Sequence, residues 1–213
     1  MSSMFSSRYP VDQDYIEKVL KGTTTIGLVG RDYVVLAADK RASAGTYVAH
    51  RNVRKIEIIN ERSALTISGL VADAQILAHY LRTEDNLYYL RTGKRMSIKA
   101  MASLLSLLLN ESKYFPYIVQ LLLGGIDERP RLFQINIFGD LTEEKYVATG
   151  SGSPIAIGVL ENGYSEDLEL DKAVELAREA VTSAIKRDVF TGEGVDVVAI
   201  TRSGVKDFYF PIR

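Results

Sequence analysis

The sequence predicts an α+β chain built as a four-layer α/β/β/α sandwich of two antiparallel sheets. Three observations lead there. The apolar period switches along the chain in the order strands, two helices, strands, one or two helices, strands. Successive strands stand at hairpin distances, where a parallel sheet would need crossovers. The helices carry broad apolar stripes, and two sheets stacked face to face with helices on the outer faces would bury all of them. An ordinary two-layer α+β fold is the less favoured alternative. With 213 residues and 46% hydrophobic side chains, the chain can bury such a core as one domain.

Each element follows from the local pattern. Residues 1–22 are polar, contain Pro10 and show only a weak helical pattern at Tyr15, Ile16, Val19 and Leu20, so they read as an appendage. From Thr24 the pattern is that of strands. TTIGLVG, a Gly30-Arg31-Asp32 turn and YVVLAAD, ending at Asp39, make a hairpin. RKIEII at 54–59 and SALTISG at 63–69 follow, joined by Asn60, Glu61 and Arg62, so four antiparallel strands open the chain. Leu70, Ala74, Leu77, Ala78 and Leu81 then share a helical face, on a helix that runs toward Gly93 as its stop. Ser97 is expected to cap a second helix, striped by Met101, Leu104, Leu105 and Leu108 and broadened by Ala100, Leu107 and Leu109. A helix so widely apolar is expected to lie sandwiched between layers. Strands return at 117–124, 131–138 and 144–149, and GSGSP leads into a short helix near 154–161. Asp171 is read as the cap of a last helix with Ala173, Leu176, Ala177, Ala180, Val181 and Ala184 on one face. VDVVAIT and VKDFYF close the chain as strands, and no internal repeat or low-complexity tract is visible.

Composition excludes several classes of function. A formal net charge of -1, from 26 basic and 27 acidic residues, gives no field that would steer the chain to nucleic acid or an anionic membrane. Without cysteine there are no disulfides, thiolate nucleophiles or cysteine-ligated zinc. The only histidines are His50, read as a loop residue, and His79, read on the first helix beside Tyr80. They cannot build a histidine-rich metal site, and no G-x-S-x-G turn accompanies them for a Ser-His-Asp triad. Neither metal nor cofactor is expected. Residues 1–22 lack an apolar signal region, and no uninterrupted apolar span of about 18 residues occurs, so a soluble cytoplasmic chain is expected.

The stretch KGTTTIGLVG at 21–30 places three threonines at the start of the first convincing strand. Strand propensity alone accounts for such a run. It stands, however, with AADKRAS at 37–43, RNVRKI at 51–56, ISGLVADAQ at 67–75, TGSGSP at 149–154 and IKRDVFTGEGVDVVAI at 185–200. In this order and spacing the six blocks resemble a proteasome β subunit of archaeal type, over about nine-tenths of the chain.

The resemblance implies the N-terminal-nucleophile hydrolase fold, a propeptide at 1–22 and a single domain at 23–213. Self-cleavage at Gly22-Thr23 would free the amine of Thr23. A free α-amino group has a pKa of about 7.7 to 8, so one residue supplies both the nucleophilic hydroxyl and a base that works near neutrality. Asp39 and Lys55 match the family's buried acid and lysine, although a charged turn and a solvated basic stretch would account for both. Gly69 matches the backbone donor to the oxyanion, and it can equally be a strand-to-helix turn glycine. Ser151 and Asp188 match groups around the new amino terminus, while Thr191 stands where the family has serine. The GSGS turn by itself could also cap a helix or cradle phosphate. Ser43 is expected to pair its backbone with extended substrate, and Ala42, Val53, Ile67 and Val71 to form an apolar side-chain pocket.

The family assembles as stacked seven-membered β rings capped by α-subunit rings, admits unfolded polypeptide and is served indirectly by an ATPase regulator. The resemblance therefore implies α subunits and other β subunits as partners. Two other readings stay open: a catalytically silent or unprocessed structural β subunit, and a small-molecule amidohydrolase of the same general fold. The Asp39 and Lys55 pair, with the downstream Arg187-Asp188 segment, favours the proteasome over the amidohydrolase, and the presence of Thr23, Asp39, Lys55, Ser151 and Asp188 together favours the active protease over the silent subunit.

Overall fold

A computed structural model describes residues 22–44 and 47–212. The expected appendage and its weak helical pattern fall at 1–21, outside the described residues. The chain runs through β1 (Thr24–Val29), β2 (Tyr33–Asp39), β3 (Ala42–Ala44), β4 (Tyr47–His50), β5 (Ile56–Asn60) and β6 (Ser63–Gly69). Then come α1 (Val71–Thr92), α2 (Ile98–Glu111), β7 (Val119–Ile126), β8 (Pro130–Ile135), β9 (Leu141–Glu143) and β10 (Tyr146–Gly150). It ends with α3 (Ser153–Gly163), α4 (Leu170–Ile185), β11 (Val195–Thr201) and β12 (Gly204–Phe210).

Two five-stranded antiparallel sheets result, in the orders β10-β1-β2-β11-β12 and β5-β6-β7-β8-β9, with β3 and β4 as a separate hairpin. Alternation along β2 explains how they stack. Val35 and Ala37 pack with α3 and α4, whereas Val34, Leu36 and Ala38 join Ile56, Ala64, Leu122 and Leu132 between the sheets. On the far side Leu65, Ile67, Leu121 and Leu123 pack with Leu77, Leu81, Met101 and Leu105 of α1 and α2. Three apolar seams therefore separate four layers, as the sequence predicts. A polar bridge crosses the middle seam: Thr25 Oγ1 bonds Thr149 Oγ1 at 2.7 Å and accepts from Thr66 Oγ1 at 3.2 Å.

Helix ends follow their signals in two cases. Gly93, at φ 70°, stops α1 by donating its N–H to Tyr89 O, and Ser97 Oγ accepts from Ala100 N at the start of α2. The last helix differs from expectation. Glu169 is its N-cap, and Asp171 lies in the first turn, where its charge favours the positive end of the helix dipole.

Other differences have local causes. The first four predicted strands divide between the sheets, β1 and β2 in one, β5 and β6 in the other. The three-residue strands β3 and β9 are too short to carry a period of two. His50 pairs with Ala42 at the end of β4 and is not a loop residue. The strand expected over 131–138 stops at Ile135, where a turn closes with Gly139 N bonded to Asn136 O. Finally, α2 is an outer layer within this chain, with Leu107 55% exposed on its open face. No helix among the described residues is long and apolar enough to cross a membrane.

Candidate active site

Thr23 sits immediately before β1 and is 5% exposed. Its hydroxyl donates to the carbonyl oxygen of Gly22 at 2.7 Å. Lys55, just before β5, places Nζ 3.4 Å from that same oxygen and 2.7 Å from Asp39 Oδ1. Asp39 closes β2, where the antiparallel register sets Ala38 opposite Thr25 and brings the carboxylate level with Thr24.

The carboxylate of Asp39 is saturated. Oδ1 accepts from Lys55 Nζ and from Thr24 N at 3.0 Å, and Oδ2 accepts from Arg41 N at 3.1 Å and Gly192 N at 2.9 Å. Both charges are out of water, Asp39 wholly and Lys55 to within 2%. A buried ion pair is costly to desolvate unless its remaining valences are filled, and the backbone N–H groups fill those of Asp39. Burial pushes the Lys55 ammonium below the ordinary lysine range. Asp39, by charge and hydrogen bond, pulls it back up; Arg41 lowers it further and Asp188 raises it.

Ser151, Asp188 and Thr191 form a second cluster beside Thr23. Ser151 follows β10, and its hydroxyl donates to Asp188 Oδ2 at 2.6 Å and lies 3.4 Å from Thr23 O. Thr191 Oγ1 donates to the same Oδ2 at 2.5 Å and stands 2.7 Å from Thr24 Oγ1. Asp188 Oδ1 accepts from Phe190 N at 3.2 Å. The threonine that replaces the expected serine is 1% exposed, with its hydroxyl aimed at Asp188.

Gly69 ends β6 with φ 105°, and a Cβ there would stand 2.2 Å from Ile118 O. Only glycine fits this turn, because both the backbone angle and the contact exclude a side chain. The expected substrate residues scatter more. Ala42 and Ser43 lie on β3, half-buried, with Ser43 registered against Val48 of β4. Val53 and Val71 are half-buried, whereas Ile67 is 1% exposed and packed into the seam under α1.

Three residues of this neighbourhood were not singled out from sequence: Thr24, Arg41 and Gly192. In the sequence Arg41 reads as part of a charged DKR turn. Its signal was the spacing of two residues from Asp39, and that of Gly192 was its place directly after Thr191. Among the described residues no group of three or more His, Cys, Asp or Glu side chains could hold a metal ion.

Chemically, the arrangement brings a buried hydroxyl to a backbone carbonyl that an ammonium also faces, with a second cluster of hydroxyls and a carboxylate alongside. Comparison with known proteins points the same way. A family model described as "Proteasome subunit" matches residues 19–200. The chain is 55% identical over 196 residues to "Proteasome subunit beta 2" of Hyperthermus butylicus, covering 92% of each chain. It is 50% identical over 203 residues to the protein of the same name from Aeropyrum pernix, covering 95% of this chain and 93% of the other. It is also 50% identical over 196 residues to "Proteasome subunit beta 1" of Saccharolobus islandicus, covering 91% and 92%.

Proposed function

This chain belongs to the proteasome subunit family and is similar throughout to archaeal β subunits, and from that premise we propose that it is a threonine endopeptidase of the 20S core. One observation carries the reading: Thr23 Oγ1 lies 2.7 Å from Gly22 O, on a carbonyl that Lys55 Nζ also approaches at 3.4 Å. Residues 1–22 are then a propeptide and 23–213 the working domain.

In self-cleavage, Thr23 Oγ attacks the Gly22 carbonyl carbon. The C–N bond breaks, the hydroxyl proton ends on the departing Thr23 nitrogen, and the acyl group passes to oxygen as an ester. Water hydrolyses the ester, leaving a carboxylate on Gly22 and a primary amine on Thr23. That amine then takes the hydroxyl proton as Oγ attacks a substrate peptide. The proton goes on to the leaving amine, and a second water clears the acyl-enzyme.

Lys55 favours the deprotonated hydroxyl through its charge, and Asp39 keeps Lys55 charged and oriented. The Gly69 N–H donates to the developing oxyanion, an interaction typically worth about 3 to 4 kcal/mol. Ser151, Asp188 and Thr191 orient the freed amine. Ser43 pairs with the substrate backbone, and Ala42, Val53, Ile67 and Val71 shape an apolar side-chain pocket.

The working particle on this reading is cytoplasmic, with heptameric β rings stacked between α rings. An ATPase regulator feeds unfolded polypeptide into the enclosed chamber. The test combines N-terminal sequencing of assembled particles with a fluorogenic peptide assay. Wild-type chains should begin at Thr23 and turn over peptide, and Thr23→Ala should do neither. Hydrolysis undiminished in Thr23→Ala, or wild-type particles active with residue 23 still acylated, would overturn the proposal.

A further inference from the structure

Nothing in the chemistry above uses the side chain of Arg41, yet it is placed with care. From the end of β2 its guanidinium reaches across to the segment between α4 and β11. Nη1 donates to Val189 O at 2.8 Å and Nη2 to Glu193 Oε1 at 3.1 Å. Between those anchors the guanidinium lies against the backbone of Gly192, where a Cβ would stand 2.5 Å from Arg41 Cζ. Glycine at 192 is therefore the space the guanidinium occupies.

The geometry carries costs that a solvated surface arginine would not bear. Arg41 Nε is buried with no hydrogen-bond partner among the described residues, and Glu193 adopts φ 72°, a left-handed conformation unusual for a residue with a Cβ. The segment between the two anchors holds Thr191, which bonds Asp188, and the Gly192 N–H, which bonds Asp39. Lys40 N donating to Gly192 O at 3.0 Å is a second tie across the same gap.

We infer that Arg41 is a positioning residue: by bridging Val189 and Glu193 it fixes the loop that presents Asp188 and Thr191 to Thr23, and locks that loop to the Asp39–Lys55 pair. The inference rests on the threonine-endopeptidase reading above. Charge adds a second, separable effect. The groups whose charges bear on the Lys55 ammonium are Asp39, Arg41 and Asp188, and of these Arg41 alone disfavours its protonated form. Loss of the Arg41 cation therefore raises the pKa of Lys55. Since the protonated lysine is the useful form, the alkaline limb of activity moves to higher pH.

The experiment uses assembled particles carrying Arg41→Met, Arg41→Lys or Glu193→Gln, with wild type and Thr23→Ala as references. It reads kcat and KM for a fluorogenic peptide across the pH range, together with the N-terminal residue. Arg41→Met should lower kcat about 10- to 100-fold with KM nearly unchanged, and shift the alkaline limb upward. Arg41→Lys should keep the limb in place and still lose about tenfold in kcat, because an ammonium cannot span both acceptors as a planar fork does. Glu193→Gln should lose less than either.

Wild-type kcat and an unmoved limb in Arg41→Met would overturn the inference, as would full recovery of kcat in Arg41→Lys. If Arg41→Met does not assemble, wild-type kcat in both other variants overturns it. Activity that survives in Thr23→Ala instead sinks the underlying reading. An inactive Thr23→Ala beside a fully active Arg41→Met sinks this inference alone.

Discussion

The two sides of Thr23 are built from the same kind of group held in different ways. On one side the Asp39 carboxylate, fully buried, is gripped by an ammonium and three backbone N–H groups. On the other, the half-buried Asp188 is held by two hydroxyls and one backbone N–H. Backbone donors have fixed directions and cannot turn away without unfolding the strand or loop that carries them. Hydroxyls rotate at little cost. The Asp39 side is thus set when the fold forms, while the hydroxyls on the Asp188 side are free to re-aim toward a charged group placed beside them. On the function proposed above, in which the base exists only after a bond is cut, the centre needs one rigid half and one adaptable half.

This contrast can be broken at its strongest point first. Asp39→Ala should cost about 3 to 5 kcal/mol of stability, because it leaves Lys55 buried and unpaired, and should lower kcat by a factor on the order of 10³. Thermal unfolding and peptide turnover measured on one preparation check both. A variant that loses turnover but keeps wild-type stability would show that Lys55 finds another partner, and the rigid half would not be rigid.

Asp188→Ala sharpens the contrast from the other side. It removes a half-buried acceptor shared by Ser151 and Thr191, whose hydroxyl keeps Thr24 Oγ1 as a partner, so the stability loss should be only about 1 kcal/mol, with kcat lower by about 10². Equal destabilisation by the two aspartate variants would erase the distinction. The smallest effect belongs to Thr191→Ser, which removes one methyl group and keeps the hydroxyl. Burial of that methyl is worth about 0.8 kcal/mol, and kcat should change by no more than about threefold.

Much of this was legible in the sequence because its signals are local. The hairpin joining β1 to β2 shows in the spacing of two strand-like runs about the Gly30-Arg31-Asp32 turn, and the ends of α1 and α2 in Gly93 and Ser97. Six sequence blocks brought Thr23, Asp39, Lys55, Gly69, Ser151, Asp188 and Thr191 together as candidates, and six of these meet around the Gly22 carbonyl and Thr23 through the bonds described.

What escaped is non-local. The hairpin of β3 and β4 has too few residues to show a period, and the Arg41 clamp joins positions 148 and 152 residues apart along the chain. The charged run DKR looked like an ordinary turn because its meaning lies in Gly192, on another element. Asp171 reads as a cap for a different reason, since an acidic residue in a first turn and an N-cap residue leave the same mark on the sequence.

The threonine bridge across the middle seam has a consequence for alignment. Apolar faces grip by shape and tolerate sliding by a fraction of a residue, whereas Thr25, Thr66 and Thr149 satisfy one another at a single offset of the two sheets. Since Thr25 lies two positions from Thr23, that offset also sets how far the strand after Thr23 stands from the sheet that carries Gly69. Filling the three sites with valine would keep the layers stuck together and let them drift, so the chain would stay folded while its centre went out of true.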